Sequence, residues 1–219
     1  MKKKVQAVIF DMDGVLLDNN DWHLKSWLEY ANRRNIPLKA EEAYTRVFGK
    51  TNREIILDAF PGSSEETIRL WSEEKEALYR EMYEPHFSLP VGLPEFLEEL
   101  RSRNYRIALA SNAPLSNVDF TLDHGGIRHF FDAIVWAGMV KNPKPHPDIY
   151  LKTTAMLSLE PMECLVVEDS PTGIRAALAA GCIPAGITST YTRQQLKQYT
   201  PLVIDHFSEI PEFLFPKSA

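Results

Sequence analysis

Residues 5–10 read Val-Gln-Ala-Val-Ile-Phe, and the run stops at Asp11-Met12-Asp13-Gly14. A short, β-branched, apolar stretch of this length is the pattern of a parallel strand covered on both faces. Open α/β sheets bind ligands beyond the carboxyl ends of their strands. The run therefore asks for a parallel sheet and directs the first chemistry to Asp11 and Asp13. Two carboxylates one residue apart repel unless something cationic lies between them, and a hard divalent cation takes oxygen ligands of this kind. Gly14 removes a side chain where another group must approach the backbone. Standing alone, the same residues would also serve as an Asp-rich turn after a strand.

Further along, the pattern divides the chain. From about Asn20 to Tyr83 it reads as several helices with no convincing strand: Leu24, Trp27, Leu28 and Ala31 recur at helical spacing, as do Ile68, Trp71, Leu78 and Met82. Trp22, Trp27 and Trp71 are expected to pack this layer. From Pro90 helix and strand alternate. Strands are predicted at 106–110, 133–136, 165–167, 183–187 and 202–204, with helices at 93–103, 115–123, 148–157, 172–180 and 207–215. This rhythm predicts an α/β fold, a Rossmann-like doubly wound parallel sheet over residues 1–17 and 88–219, with a helical insertion over 18–87.

Polar residues recur at the predicted strand ends. Ser111-Asn112 closes one strand, Lys144 lies in the turn Lys144-Pro145-His146-Pro147-Asp148, and Glu168-Asp169-Ser170 closes another. In a parallel sheet these groups meet Asp11 and Asp13 on one rim. Glu168-Asp169-Ser170-Pro171 is also a good helix start, and Lys144 taken alone could be a solvated loop lysine.

Charge and composition narrow the partner. With 24 basic against 30 acidic residues the net charge is -6, which argues against a nucleic-acid partner. After Met1-Lys2-Lys3-Lys4 the apolar stretch is too short for a signal peptide or a membrane span. A cytoplasmic monomer with no membrane partner is expected. Cys164 and Cys182 lack metal-ligand spacing and are expected to be buried, reduced thiols.

In order and context, Asp11-Met12-Asp13-Gly14-Val15-Leu16, Ser111, Lys144 and Glu168-Asp169 resemble the four motifs of the haloacid dehalogenase superfamily, over essentially the whole chain. The insertion point, Lys144-Pro-His-Pro-Asp and Glu168-Asp-Ser-Pro-Thr-Gly-Ile resemble most closely its β-phosphoglucomutase-like branch of phosphatases and phosphohexomutases. The resemblance implies Asp11 as nucleophile, Asp13 as acid/base and Lys144 as the cation beside them. It implies Mg2+ held by Asp11, the Asp13 carbonyl and Asp169, with Glu168 one layer further out. Ser111, Asn112 and Gly14 would surround the phosphoryl group of a small phosphorylated metabolite such as a sugar phosphate. The acid at position 13 favours phosphoryl transfer, since the family's dehalogenases lack it and its transport ATPases carry Thr.

The insertion corresponds to the family's cap, where substrate choice resides. His23 resembles a histidine that branch members place over the core site, and His86 and His146 are assigned to structure. Mutases of the branch carry a Lys just before a glycine and an Arg three residues after it. Aligned on Gly49, this chain has Phe48 and Asn52 there, with Lys50 and Arg53 one position later as candidate replacements. A one-residue shift turns a side chain by roughly 100° on a helix. The expectation is a Mg2+-dependent phosphatase. The alternatives are a β-phosphoglucomutase-type mutase, then a catalytically silent binding protein, then a dehalogenase.

Overall fold

Strand β1 (Ala7–Phe10) is buried along its whole length, as its unbroken apolar run requires. The computed structural model describes residues 4–36, 38, 40–47 and 50–210. Among these, six parallel strands form one sheet: β1, β2 (Arg106–Ser111), β3 (Ala133–Trp136), β4 (Cys164–Glu168), β5 (Ile183–Ile187) and β6 (Val203–Ile204). Their order is β3-β2-β1-β4-β5-β6. That order reverses direction between β1 and β4, the crevice where doubly wound sheets bind ligands. Phe10 pairs with Leu109 on β2 and with Val167 on β4, so Asp11 stands level with Glu168.

The chain divides into two units, one running up to Asp18 and resuming at Ser88, the other Asn19–Phe87. The second is helical, with α1 (Asn20–Arg34), α2 (Ala40–Val47), α3 (Asn52–Ala59) and α4 (Glu65–Tyr83). Its ends are set locally. Asn35 takes the left-handed conformation that terminates α1, Thr51 and Glu54 form a capping box for α3, and the Ser64 hydroxyl accepts from Thr67 N at the start of α4. Trp27, Ile55, Ile56, Ile68 and Leu78 fill its own core. Trp71 packs edge-on against Phe60, and Trp22 stacks on His86.

In the first unit the sheet is covered on both faces by α5 (Leu93–Ser102), α6 (Leu115–His124), α7 (Asp148–Leu157) and α8 (Pro171–Ala180), with a short α9 (Arg193–Leu196). Strand alternation sorts the core into two layers. Val8, Phe10, Ile107, Leu109, Leu165 and Val167 join α5 and α6 on one side. Ala7, Ile9, Ala108, Ala110 and Val166 join Ile149 and Tyr150 of α7 and Ala176 and Ala177 of α8 on the other. Cys164 and Cys182 are free and buried in that second layer. The expected helix at 207–215 is described only as one 3-10 turn, Phe207–Glu209, and its remainder beyond Ile210 lies outside the described residues. Among the described residues no helix is long and apolar enough to cross a membrane.

Candidate active site

The β1/β4 crevice gathers one cation among several carboxylates. Lys144 Nζ donates to Asp11 Oδ1 at 2.6 Å, Glu168 Oε1 at 2.7 Å and the Ala110 carbonyl at 2.9 Å. Three N–H groups meet three acceptors, which is what a buried ammonium needs. The backbone of its loop is held as well: Lys144 N donates to Asn112 Oδ1 at 3.1 Å, and Asn142 bonds Asp148 Oδ2 through both backbone and side chain. From α7, the buried Tyr150 hydroxyl also donates to Glu168 Oε1, and its ring lies 5.0 Å from Lys144 Nζ.

Negative charge exceeds what one lysine can neutralise. Burial pushes the Asp11 carboxyl well above the usual carboxylate range; Lys144 draws it back, while Glu168 and Asp169 push it further up. Burial and then Glu168 push Asp169 up to about 7, against the hydrogen bond from Thr190. Burial disfavours the charge on Lys144, but Asp11 and Glu168 outweigh it and hold its pKa above the ordinary value. Carboxylate oxygens of Asp11, Glu168 and Asp169 lie within 4.8 Å of one another. An all-oxygen, charge-deficient set of this kind fits a hard divalent cation. Glu168 differs from the other two, because its Oε1 already accepts from Lys144 and Tyr150, and its Oε2 accepts from Ser170 Oγ at 3.3 Å.

The neighbouring predicted residues sit on the same rim. Asp13 follows β1 and lies close enough for its charge to act on Asp169. Gly14 has φ +76°, and a methyl group on it would overlap the Asp169 carboxylate. Ser111 ends β2 buried, its Oγ accepting from Ala113 N at 3.0 Å. Ser170 caps α8 by accepting from Gly173 N, with Pro171 in the first turn. Glu168-Asp169-Ser170-Pro171 thus both starts α8 and brings two carboxylates of the cluster to the end of β4.

A second polar cluster lies inside the helical unit. His23 stacks on Tyr79 with ring centroids 3.9 Å apart, and its Nδ1 is 2.9 Å from Nζ of Lys75, a residue only 1% exposed. Lys75 also donates to Glu76 Oε1, which accepts from Asn52 as well; Asn19 donates to Tyr79 OH at 2.6 Å. Of these, the sequence points to His23 as a candidate contact, and to Asn52 only as the residue standing where mutases carry Arg. Arg53 is exposed and ion-paired with Glu65, and Lys50 is exposed just before the α3 cap. Phe48 and Gly49 lie outside the described residues. His146 is exposed in the Lys144 loop, its N–H donating to the Pro143 carbonyl.

The chain is 32% identical, over 81% of its length and 82% of theirs, to a phosphorylated carbohydrates phosphatase of Thermotoga maritima. To the β-phosphoglucomutase of Bacillus subtilis it is 31% identical over 84% of this chain and 83% of that one. The crystal structure of a family IA, variant 3 hydrolase from Entamoeba histolytica superposes with a TM-score of 0.88 at 33% identity, covering 96% and 98% of the two chains. The family model described as haloacid dehalogenase-like hydrolase matches residues 8–187, from inside β1 to the end of β5, and so takes in every strand-end motif of the rim. By that match the chain belongs to the haloacid dehalogenase-like hydrolases.

Proposed function

We propose that this protein is a Mg2+-dependent phosphatase of a small phosphorylated metabolite, a sugar phosphate by its relatives, working through an aspartyl-phosphate on Asp11. The observation that carries the reading is Lys144 Nζ shared between Asp11 and Glu168 beside Asp169. Asp11 and Asp169, with the Asp13 carbonyl, would hold the metal. When bound, Mg2+ supplies positive charge that offsets the carboxylates and the phosphoryl oxygens.

The remaining chemistry belongs to the chain. A carboxylate oxygen of Asp11 forms a bond to phosphorus as the bond to the leaving oxygen breaks, and Asp13 gives that oxygen its proton. Asp13, now a carboxylate, takes a proton from water as the water attacks phosphorus, and Asp11 departs as a free carboxylate. Lys144 opposes the charge on Asp11 and on the transferring group throughout, while Ser111 and the backbone near Asn112 receive its oxygens. Substrate selection is assigned to the helical unit, with His23, Lys50 and Arg53 as candidate contacts.

A mutase is the second reading, favoured by 31% identity to the Bacillus subtilis enzyme. Against it stand the exposed Arg53, engaged by Glu65, and Asn52, whose amide bonds Glu76. The test is a panel of phosphorylated sugars, nucleotides and glycolytic acids assayed for phosphate release with and without Mg2+, beside β-glucose 1-phosphate with a bisphosphate primer. Mg2+-dependent phosphate release without isomerised product supports the phosphatase. Glucose 6-phosphate without phosphate release would replace it with the mutase.

A further inference from the structure

Where β5 leaves the sheet, three consecutive hydroxyl residues each take a different partner. Thr188 Oγ1 donates to Asp205 Oδ1 at 2.6 Å, and its backbone N–H donates to the Ile204 carbonyl, which fixes this end of the loop to β6. Ser189 Oγ donates to the Gly14 carbonyl, and Thr190 Oγ1 donates to Asp169 Oδ2. A Cβ built on Gly14 would meet both the Asp169 carboxylate and Thr190 Oγ1. The Asp169 carboxylate is therefore boxed between the bare backbone of Gly14 and the Thr190 hydroxyl, while Ser189 ties that backbone to the same loop.

This box answers an electrostatic problem. Asp169 feels the negative charge of Glu168 and Asp13, opposed by the Thr190 hydroxyl and the charge of Lys144. Repulsion of that kind turns a carboxylate away unless a donor restrains it. A lysine or arginine in that role would neutralise the charge that a cation needs. A hydroxyl restrains the oxygen and leaves its charge available.

We infer that Thr190 is a positioning residue that fixes the Asp169 carboxylate for divalent-metal binding, with Ser189 holding the Gly14 wall of the same box. The inference rests on the Mg2+ reading above. It is tested on the full chain without substrate, by calorimetric titration with Mg2+ and by Mn2+ electron paramagnetic resonance. Thr190→Val keeps the shape and removes the hydroxyl; Thr190→Ser keeps the hydroxyl and removes the methyl. Circular dichroism and metal-free melting verify that each variant folds. Loss of an outer partner of a metal ligand costs about 10- to 100-fold in metal affinity, and that loss is expected for Thr190→Val, with Thr190→Ser near wild type. In turnover, Thr190→Val should need more Mg2+ for half-maximal rate and recover most of kcat at saturating Mg2+. Wild-type affinity in Thr190→Val, or an equal loss in Thr190→Ser, overturns the inference. If the wild-type chain itself binds neither ion, the Mg2+ reading fails and this one with it.

Discussion

Lys144 stands 133 positions after Asp11 in the chain, and its ammonium nitrogen lies 2.6 Å from Asp11 Oδ1. The same nitrogen serves Glu168 and the Ala110 carbonyl, so one side chain ties the ends of β1 and β4 to β2. Lys144→Ala would leave the Asp11 and Glu168 carboxylates facing each other without a cation. Breaking a buried pair from one side costs about 3–5 kcal/mol, and a loss of that order is expected in metal-free urea denaturation, together with loss of turnover. An unchanged unfolding midpoint would contradict the pairing.

Gly173 offers a test with a reversed sign. It lies in the first turn of α8, and replacing a helical Gly by Ala ordinarily stabilises by about 1 kcal/mol. Here the added methyl would overlap the Glu168 carboxylate. Gly173→Ala is therefore expected to lower the melting temperature and the rate together. A stabilised, fully active variant would mean that Glu168 does not occupy this position.

The Tyr150 hydroxyl is buried and donates to the Glu168 oxygen that Lys144 also reaches. Tyr150→Phe removes this charge-assisted hydrogen bond, a loss of about 1.5–3 kcal/mol in unfolding free energy, and frees Glu168 to draw Lys144 away from Asp11. A fall in kcat with little change in KM is expected. If Tyr150 acts through Glu168, adding Tyr150→Phe to Glu168→Gln should lower kcat little further; full additivity would contradict the link.

Burial pushes the thiols of Cys164 and Cys182 up to about 12, against about 8.5 for a free cysteine. The folded chain then keeps protons that the unfolded chain releases. Their contribution to stability is fully present below about pH 8.5 and is lost as the pH rises towards 12. Thiol reagents attack the thiolate, so at pH 8 the native protein should resist an aromatic disulfide reagent and the urea-unfolded protein should react at both cysteines. Rapid reaction of both thiols in the native state would be the contrary result.

The strand ends were legible because a buried parallel strand is a continuous apolar run, and the polar residue that stops it stands at the ligand-binding rim. Asp11, Ser111 and Glu168-Asp169 each follow such a run, and the observed register brings them to one edge. Tyr150 was hidden because an aromatic residue on the buried face of a helix looks like core; only the fold shows its hydroxyl meeting Glu168. Ser189 and Thr190 were hidden for the opposite reason, since hydroxyl residues after a strand are ordinary turn residues, and their partners lie 175 and 21 positions away. Lys75 and Glu76 sit within a run of charged residues that reads as a solvated helix face, yet both are buried, Lys75 against His23 and Tyr79 and Glu76 beside Lys75 and His23.

The central claim, covalent phosphoryl transfer to Asp11 with a metal at Asp169, is met most directly by assaying phosphate release from one good substrate in four arms: wild type and Asp11→Asn, each with Mg2+ and after chelation. The account predicts release only from wild type with Mg2+, while Asp11→Asn keeps a wild-type circular dichroism spectrum. Sustained release by Asp11→Asn, or equal wild-type rates with and without the metal, would contradict it.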